Sequence, residues 1–280
     1  MKKARNCDNT SFNTGVSKCP LAIGKMKGAI IVKHGQKLPA DMTAEKLEEL
    51  IHADRDTRAY GVVEFVEYAK NGGEAQTSAT GYGAEQFTGI SAQKDTFTLD
   101  KFYPELHAAL TKSANVKRDV YFFDENNVLY GMSDGTDVLA GFPMSAIYSD
   151  ATPFPTSSAN PVMTITFAHA NAKKAIIGYD FIQLDFAPAS VTLGLTPVVL
   201  VKESGSAYKI LEKVGGYDVT AIYGPLIATA GSTVIDGTAT AVTYSEENDN
   251  LTITTTGDAV PRLKSAKVLY ANDIKGIEQA

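Results

Sequence analysis

The sequence predicts a β-dominated α+β fold, with a sheet-rich body that carries two helices (about 43–53 and 101–114) and a following Ig-like β-sandwich. Short runs of β-branched and aromatic residues lie between Gly, Asn and Asp turn signals along the whole chain. Only two stretches have clear helical spacing. From residue 187 onward turn signals recur about every ten residues. The 280 residues, 44% of them hydrophobic, therefore divide into an extended basic arm with the first strand (1–37), an α+β body (38–186) and a β-sandwich (187–280).

The two helices are predicted from apolar spacing and from their capping residues. In the first, Leu47 and Ile51 lie on one apolar stripe and Thr43 is placed to cap the N-terminus. In the second, Asp100 is the expected cap, and Pro104 fits the first turn, where a missing N–H costs nothing. Beyond residue 187 no stretch has helical spacing, and Gly224-Pro225 reads as a turn.

Strands are predicted wherever β-branched and aromatic residues run between turn signals. The clearest hairpin joins Val120–Phe123 to Val128–Gly131 through an Asp/Asn loop, because Asn and Asp tolerate left-handed backbone. A strictly alternating run at 162–167 predicts a half-buried strand. The remaining strands of the body are expected at 28–32, at 60–70 and, once or twice, within 74–99. Residues 150–161 hold three prolines and predict an exposed loop.

Charge is distributed unevenly along the chain. Residues 1–37 contain eight Lys or Arg residues and one acid, although the whole chain has a net charge of −6. This balance excludes a generic nucleic-acid binder, which is usually basic throughout. The basic start is either an arm that lies on an acidic neighbour or a solvated terminus.

The sequence shows no export signal or membrane span. The polar stretch Asn6–Asn13 follows the basic start, where a secretory signal would continue with apolar residues. No run approaches the roughly 18 apolar residues of a transmembrane helix. We therefore expect no membrane partner and no secretion through a signal peptide.

No catalytic, cofactor or metal site is predicted from sequence motifs. Cys7 and Cys19 have no second pair that would complete a zinc site. No phosphate-binding or nucleophile-elbow motif occurs. The four histidines are isolated from one another and have no metal-ligand spacing: His34, His52, His107 and His169. We therefore expect a protein that is not an enzyme.

The combination of an α+β body, a basic start and a trailing β-module resembles the virion structural proteins of tailed bacteriophages, most nearly tail-tube or neck/ring components. Residues 72–99 are similar to the long tube-forming strands that precede a helix in those proteins. Residues 120–131 and the C-terminal β-module carry the rest of the resemblance.

The resemblance implies a virion subunit, made in the host cytoplasm, that assembles with identical subunits into a ring or tube through the body 38–186. Other virion proteins would be further partners, and DNA would at most pass through an acidic lumen. It implies subunit contacts at basic residues near the start and at acids in turns: Lys18, Lys25, Lys27, Lys33, Asp124 and Asp134. The alternatives are a capsid or decoration protein, a surface adhesin or glycan-binding module, and a hydrolase whose site assembles only in the folded chain.

Overall fold

The computed structural model describes residues 23–39, 41–133, 138–151, 154–156, 160–236, 239–257 and 260–280. Within these ranges the fold is β-dominated α+β, with twenty strands and six α-helices. The chain forms two compact units. Unit 1 contains the described residues up to Leu47 together with Ala59–Thr192, and unit 2 contains Glu48–Arg58 and Leu193–Ala280.

Unit 1 contains thirteen strands and three whole helices of the described residues, together with the first half of α1 (Ala44–Ile51), which crosses the unit boundary after Leu47. The whole helices are α2 (Pro104–Lys112), α3 (Ala172–Gly178) and α4 (Pro188–Val191). The strands are β1 (Met26–Lys33), β2 (Lys37–Leu38), β3 (Tyr60–Val63), β4 (Phe65–Gly72), β5 (Ala75–Ser78), β6 (Gln86–Ile90), β7 (Gln93–Leu99), β8 (Arg118–Asp124), β9 (Val128–Ser133), β10 (Leu139–Ala140), β11 (Phe142–Ser149), β12 (Met163–His169) and β13 (Tyr179–Gln183).

The main sheet of unit 1 closes on itself. Antiparallel pairing runs from β1 to β8, β11, β12, β7 and β4 in turn. Strand β3 pairs with β1, and it leads into β4 through Glu64, whose φ of 68° bends the chain. The two ends are joined by the chain itself and not by a hydrogen-bonded pair, because β3 pairs with β1 and then runs directly into β4; we call these strands together the closed sheet. Strands β9, β13, β10 and β2 extend the sheet beyond β8.

The interior of this closed sheet contains a cluster of phenylalanine rings among aliphatic side chains. Phe65 stacks on Phe97 with ring centroids 4.4 Å apart, and Phe97 and Phe122 both meet Phe167 edge-on. Each ring that is fully buried contributes about 1.5–3 kcal/mol of transfer free energy, and offset or edge-on geometry adds to it. These phenylalanines alternate with outward residues on their strands, as the period of two in a strand requires.

Both predicted helices are present. In α1 the Lys46 N–H donates to Thr43 Oγ1 at 3.3 Å, and Leu47 and Ile51 are buried. In α2 the first helical residue is Pro104, so the N-cap is Tyr103 and not the predicted Asp100. The proline fixes the helix start because its ring suits the first turn and lacks the N–H that would otherwise need a partner.

Unit 2 contains a five-stranded sheet with helices packed on it. Its helices are α5 (Thr220–Ala230) and α6 (Ala266–Tyr270), and its strands are β14 (Thr196–Ser204), β15 (Ala207–Glu212), β16 (Ile235–Asp236), β17 (Ala239–Ser245), β18 (Asn250–Thr255), β19 (Arg262–Leu263) and β20 (Ile277–Gln279). The strand order is β17-β18-β15-β14-β20, in which only the β14–β20 pair is parallel. The predicted Ig-like β-sandwich is not confirmed, because α5 packs on β15, β17 and β18 where a second sheet would lie.

The helix α5 contradicts the expectation that no helix follows residue 187. Its segment contains Gly224-Pro225, which the sequence analysis took for a turn, and it has no single apolar stripe. The helix continues through Pro225. At Gly224 it lies against the Tyr244 ring, where a Cβ would come within 2.6 Å of the ring carbons. Tertiary packing on the sheet therefore overrides the local turn signal.

Residues 48–58 belong to unit 2, although they lie far from it in sequence. The His52 ring stacks on Tyr270 with centroids 4.7 Å apart, and His52 Nε2 accepts from the Gly276 N–H at 3.0 Å. Arg58 is buried and pairs with Glu278 at 2.6 Å. His52 therefore has a packing role in unit 2.

Candidate assembly arm and aromatic pocket

A long hairpin projects from the closed sheet of unit 1. Strands β4 and β7 pair along its base, and the chain continues into β5 and β6, which pair only with each other. Two hydrogen bonds connect the base to the arm, because the Gly73 N–H donates to the Ala92 carbonyl at 3.3 Å and the Ser91 N–H donates to the Glu74 carbonyl at 2.9 Å. We call residues 74–91 the arm.

Two glycines bend the hairpin where the arm begins. Gly72 and Gly73 have φ values of 77° and 75°, in the left-handed region that favours glycine. A Cβ on Gly72 would lie 1.9 Å from the Ala92 carbonyl oxygen. Only glycine fits this junction, so the direction of the arm is built into the sequence Asn71-Gly72-Gly73.

The arm is exposed along almost its whole length. Every residue of β5 is exposed, and Tyr82 at the tip is fully exposed between Gly81 and Gly83. Phe87 is about half exposed, and the Lys173 ammonium lies 5.6 Å from its ring centroid. A hairpin with two exposed aromatic rings contributes little to the core of its own unit, so the tip is available to another molecule.

The base of the hairpin has an open strand edge and exposed apolar side chains. Among the described residues β4 pairs with β7 alone, so its other edge beyond Phe65 is open. On this strand Val66 is 63% exposed and Tyr68 is 51% exposed. Open, apolar strand edges are sites where a further strand or chain pairs.

A pocket of about 770 Å³ opens in the wall of the closed sheet. The pairing of β1 with β3 ends at Gly28 and Val63, and beyond this point the residues before β1 and the start of β4 diverge. The pocket lies at this divergence, between residues 23–27 and residues 65–68. Seven Phe and Tyr side chains line it: Phe65, Tyr68, Phe97, Phe122, Tyr130, Phe142 and Tyr179. Its size falls within the usual range for ligand-binding clefts.

A buried polar network forms one wall of the pocket. His169 Nε2 lies 2.6 Å from Asp95 Oδ2, while Tyr68 Oη donates to Asp95 Oδ1 at 2.9 Å. Gln93 donates to the same carboxylate. Burial alone would raise the pKa of Asp95, but the hydrogen bonds from His169, Gln93 and Tyr68 outweigh it and hold that pKa below its usual value. Burial and the Asp95 carboxylate raise the pKa of the Tyr68 hydroxyl.

The role of this network is structural, because it links neighbouring strands. Asp95 lies on β7 and His169 on the neighbouring β12, so their contact joins two strands of the closed sheet. His169 Nδ1 is buried without a partner among the described residues. In the part of the chain that the structure describes, no hydroxyl or thiol is hydrogen-bonded to this histidine, as covalent catalysis of the serine-protease type would require.

Two of the predicted contact residues lie together at the pocket mouth. Lys25 and Lys27 line the pocket and are exposed, and within the described residues neither ammonium has an ion pair. Lys33 is exposed at the opposite end of β1. Lys18 and Asp134 lie outside the described residues.

Asp124, also predicted as a subunit contact, is instead a buried structural residue. It is 2% exposed. Its Oδ1 accepts from the Asn126 and Val128 N–H groups, and its Oδ2 accepts from the Gly24 N–H and, at 2.6 Å, from the Tyr130 hydroxyl. A carboxylate that is buried and satisfied in this way is not available to another subunit. Asp124 was predicted as a contact because it is an acid in a turn. Its carboxylate instead closes that turn, between β8 and β9.

Sequence reasoning missed the residues that make the arm and pocket distinctive. The Asp95–His169 contact joins residues 74 positions apart, and no local pattern reports it. Tyr82 could have been found, because a tyrosine between two glycines in a polar segment is placed at a turn and cannot be buried by its neighbours.

The comparisons with known proteins and the searches for other site types add little. No protein-family model matches the chain, and neither does any curated protein. In the described ranges, no three His, Cys, Asp or Glu side chains lie close enough to hold a metal ion. Across the same part of the chain, none of the helices has the length and apolar character needed to cross a membrane.

Proposed function

We propose that this chain is a structural subunit that self-assembles with identical copies into rings or a tube, as tail-tube and neck components of tailed bacteriophages do. One observation carries the proposal: unit 1 extends a hairpin arm, paired between β5 and β6, whose aromatic tip lies outside its own core. The virion setting, including a location in the particle and contacts with other virion proteins, rests on the resemblance of the sequence to those components.

The physical argument is that the arm stabilises an assembly and not its own unit. An isolated two-stranded ribbon is marginally stable in water. Here the ribbon is supported at its base by the closed sheet, yet it leaves Tyr82 and much of Phe87 in solvent. The open edge of β4 and the exposed Val66 and Tyr68 provide a second surface on the same hairpin. Two different surfaces on one subunit produce head-to-tail contacts, which close into rings or continue as filaments.

The proposal is tested by the size of the protein in solution. We expect sedimentation velocity of the full chain to show oligomers at micromolar concentration, with rings or tubes in negative stain. A variant in which residues 74–91 are replaced by Gly-Gly is expected to sediment as a folded monomer, because the closed sheet does not include the arm.

A matched control removes a loop of no proposed importance. Residues 246–249 form the exposed turn between β17 and β18 in unit 2, and replacing them with Asn-Gly leaves the arm intact. This variant is expected to assemble like the natural chain. A natural chain that stays monomeric at high concentration and low salt would overturn the proposal.

A further inference from the structure

We infer that the aromatic pocket of one subunit receives the arm tip of a second copy, with Tyr82 as the anchor and Glu85 facing Lys25 and Lys27. This inference rests on the proposed self-assembly and names the contact that would drive it. Three observations carry it: the pocket is open, its chemistry matches the tip, and the tip of the same chain does not occupy it.

The first observation is the unfilled space. About 770 Å³ remain open beside the seven Phe and Tyr side chains that line the pocket. Protein interiors are normally packed at crystal density, so an opening of this size lined by aromatic faces indicates a binding site. An aromatic side chain can stack on such faces at offset or edge-on angles.

The second observation is chemical complementarity. The arm carries Glu74 and Glu85 and no basic residue. The pocket lining carries Lys25 and Lys27 together with two acids, Glu67 and Asp95. The Asp95 carboxylate is already bound by His169, Tyr68 and Gln93. Glu74 accepts a hydrogen bond from Ser91, which leaves Glu85, three residues after Tyr82, as the acid of the tip. The tip therefore presents one exposed aromatic ring and one carboxylate, and the pocket presents aromatic faces and two ammonium groups.

The third observation is the separation of tip and pocket within one chain. None of the residues that line the pocket comes from the arm 74–91. Pairing of β5 with β6 extends as far as Ser78 and Gln86, and Tyr82 lies in the turn beyond it, up to about 30 Å of extended chain from Gly73. The occupant is therefore the tip of another copy, and the contact is head-to-tail.

The test compares self-association of the natural chain and of surface variants by sedimentation velocity. Tyr82→Ala is expected to raise the dissociation constant about 30-fold or more, as truncation of a central aromatic anchor does. Glu85→Lys is expected to raise it about tenfold. Adding Lys25→Glu and Lys27→Glu to the Glu85→Lys chain is expected to restore association, because the charges are exchanged and the attraction is retained.

Matched controls make the same chemical changes elsewhere. Tyr217 is an exposed tyrosine in a turn of unit 2, and Glu247 is an exposed acid in another turn. Tyr217→Ala and Glu247→Lys are expected to leave association unchanged. If Tyr82→Ala assembles as well as Tyr217→Ala does, the inference fails while self-assembly stands. If the natural chain is monomeric, the proposed function fails as well.

A mixing experiment tests the direction of the contact. The Tyr82→Ala chain keeps its pocket, and the Lys25→Glu/Lys27→Glu chain keeps its tip. Together they are expected to form a one-to-one complex that does not grow, because only one tip and one pocket remain functional. A mixture that shows no complex, although each variant alone is monomeric, would overturn the tip-in-pocket contact.

Discussion

Two hairpins of unit 1, one formed by β8 and β9 and the other by β4 and β7, differ in the burial of their side chains and in the chemistry of their turns. The β8–β9 hairpin is buried on both strands, and its turn is closed by the carboxylate of Asp124. The hairpin of β4 and β7 continues into an arm whose residues are mostly exposed. The first stabilises the unit that contains it, whereas the second leaves aromatic surface in solvent. The comparison teaches that a hairpin's contribution to the fold is determined by where its side chains go and not by its backbone ladder.

The turns of the two hairpins differ in the same way, since one is bound to its own unit and the other is exposed. In the β8–β9 turn, Asn127 adopts left-handed backbone with a φ of 61°, and Asp124 accepts from two N–H groups of the loop. The arm tip instead uses glycine, with Gly81 at a φ of 57° and open space around it. A turn whose N–H groups are bound by a side chain holds the two strands of its hairpin in place. A glycine turn leaves the Tyr82 ring in solvent.

The largest expected effect is in the buried hairpin. Asp124→Ala leaves three N–H groups and the Tyr130 hydroxyl without their acceptor in a buried site, so we expect a loss of at least about 3 kcal/mol of unfolding free energy. Urea denaturation measures it. The control Asp56→Ala removes an exposed carboxylate and is expected to stay within about 0.5 kcal/mol. Equal urea midpoints for the two variants would mean that the Asp124 network contributes nothing.

The next effect concerns the network at the pocket wall. The folded protein lowers the pKa of Asp95, so its contribution to stability is present above the ordinary Asp pKa of about 4 and is lost as pH falls below it. Asp95→Asn is expected to cost about 2–3 kcal/mol near neutral pH and to flatten the acid side of the stability curve. Thermal unfolding between pH 2 and 7 measures this difference. A constant gap between the two curves across that range would show that Asp95 is not the titrating group.

Residues whose neighbours in sequence determine their structure were predictable, and residues whose partners are distant were not. Thr43 and Pro104 mark helix starts by local chemistry, and Asn127 marks a turn for the same reason. In contrast, α5 forms around Gly224-Pro225 because it packs on a sheet whose strands lie both before and after it in the sequence. Of the candidate site, Lys25 and Lys27 were predicted from charge, although the pocket beside them was not. Its lining comes from strands far apart in sequence.

A smaller effect is expected at the bend of the projecting hairpin. Gly72→Ala places a Cβ 1.9 Å from the Ala92 carbonyl oxygen at a positive φ, so we expect a cost of about 2 kcal/mol and altered arm geometry. Gly81→Ala is the matched control, because it has a similar φ but no atom within 4 Å, and its cost is expected to be about 1 kcal/mol or less. Urea denaturation of both variants measures the difference between their unfolding free energies. This difference is the cost of the clash, because the backbone strain is similar in the two variants. An identical cost for both would show that the ladder at Ala92 shifts freely.

The smallest effect on stability is expected at the arm tip, where the two hairpins differ most. Tyr82→Ala is expected to change the unfolding free energy of the dissociated chain by less than about 0.5 kcal/mol, because the ring is fully exposed. Tyr130→Ala removes the same side chain from the buried hairpin and is expected to cost about 3–5 kcal/mol. Urea denaturation at concentrations below the assembly threshold measures both. A loss above about 1 kcal/mol for Tyr82→Ala would mean that the tip packs on its own unit. The arm would then stabilise that unit, as the β8–β9 hairpin does.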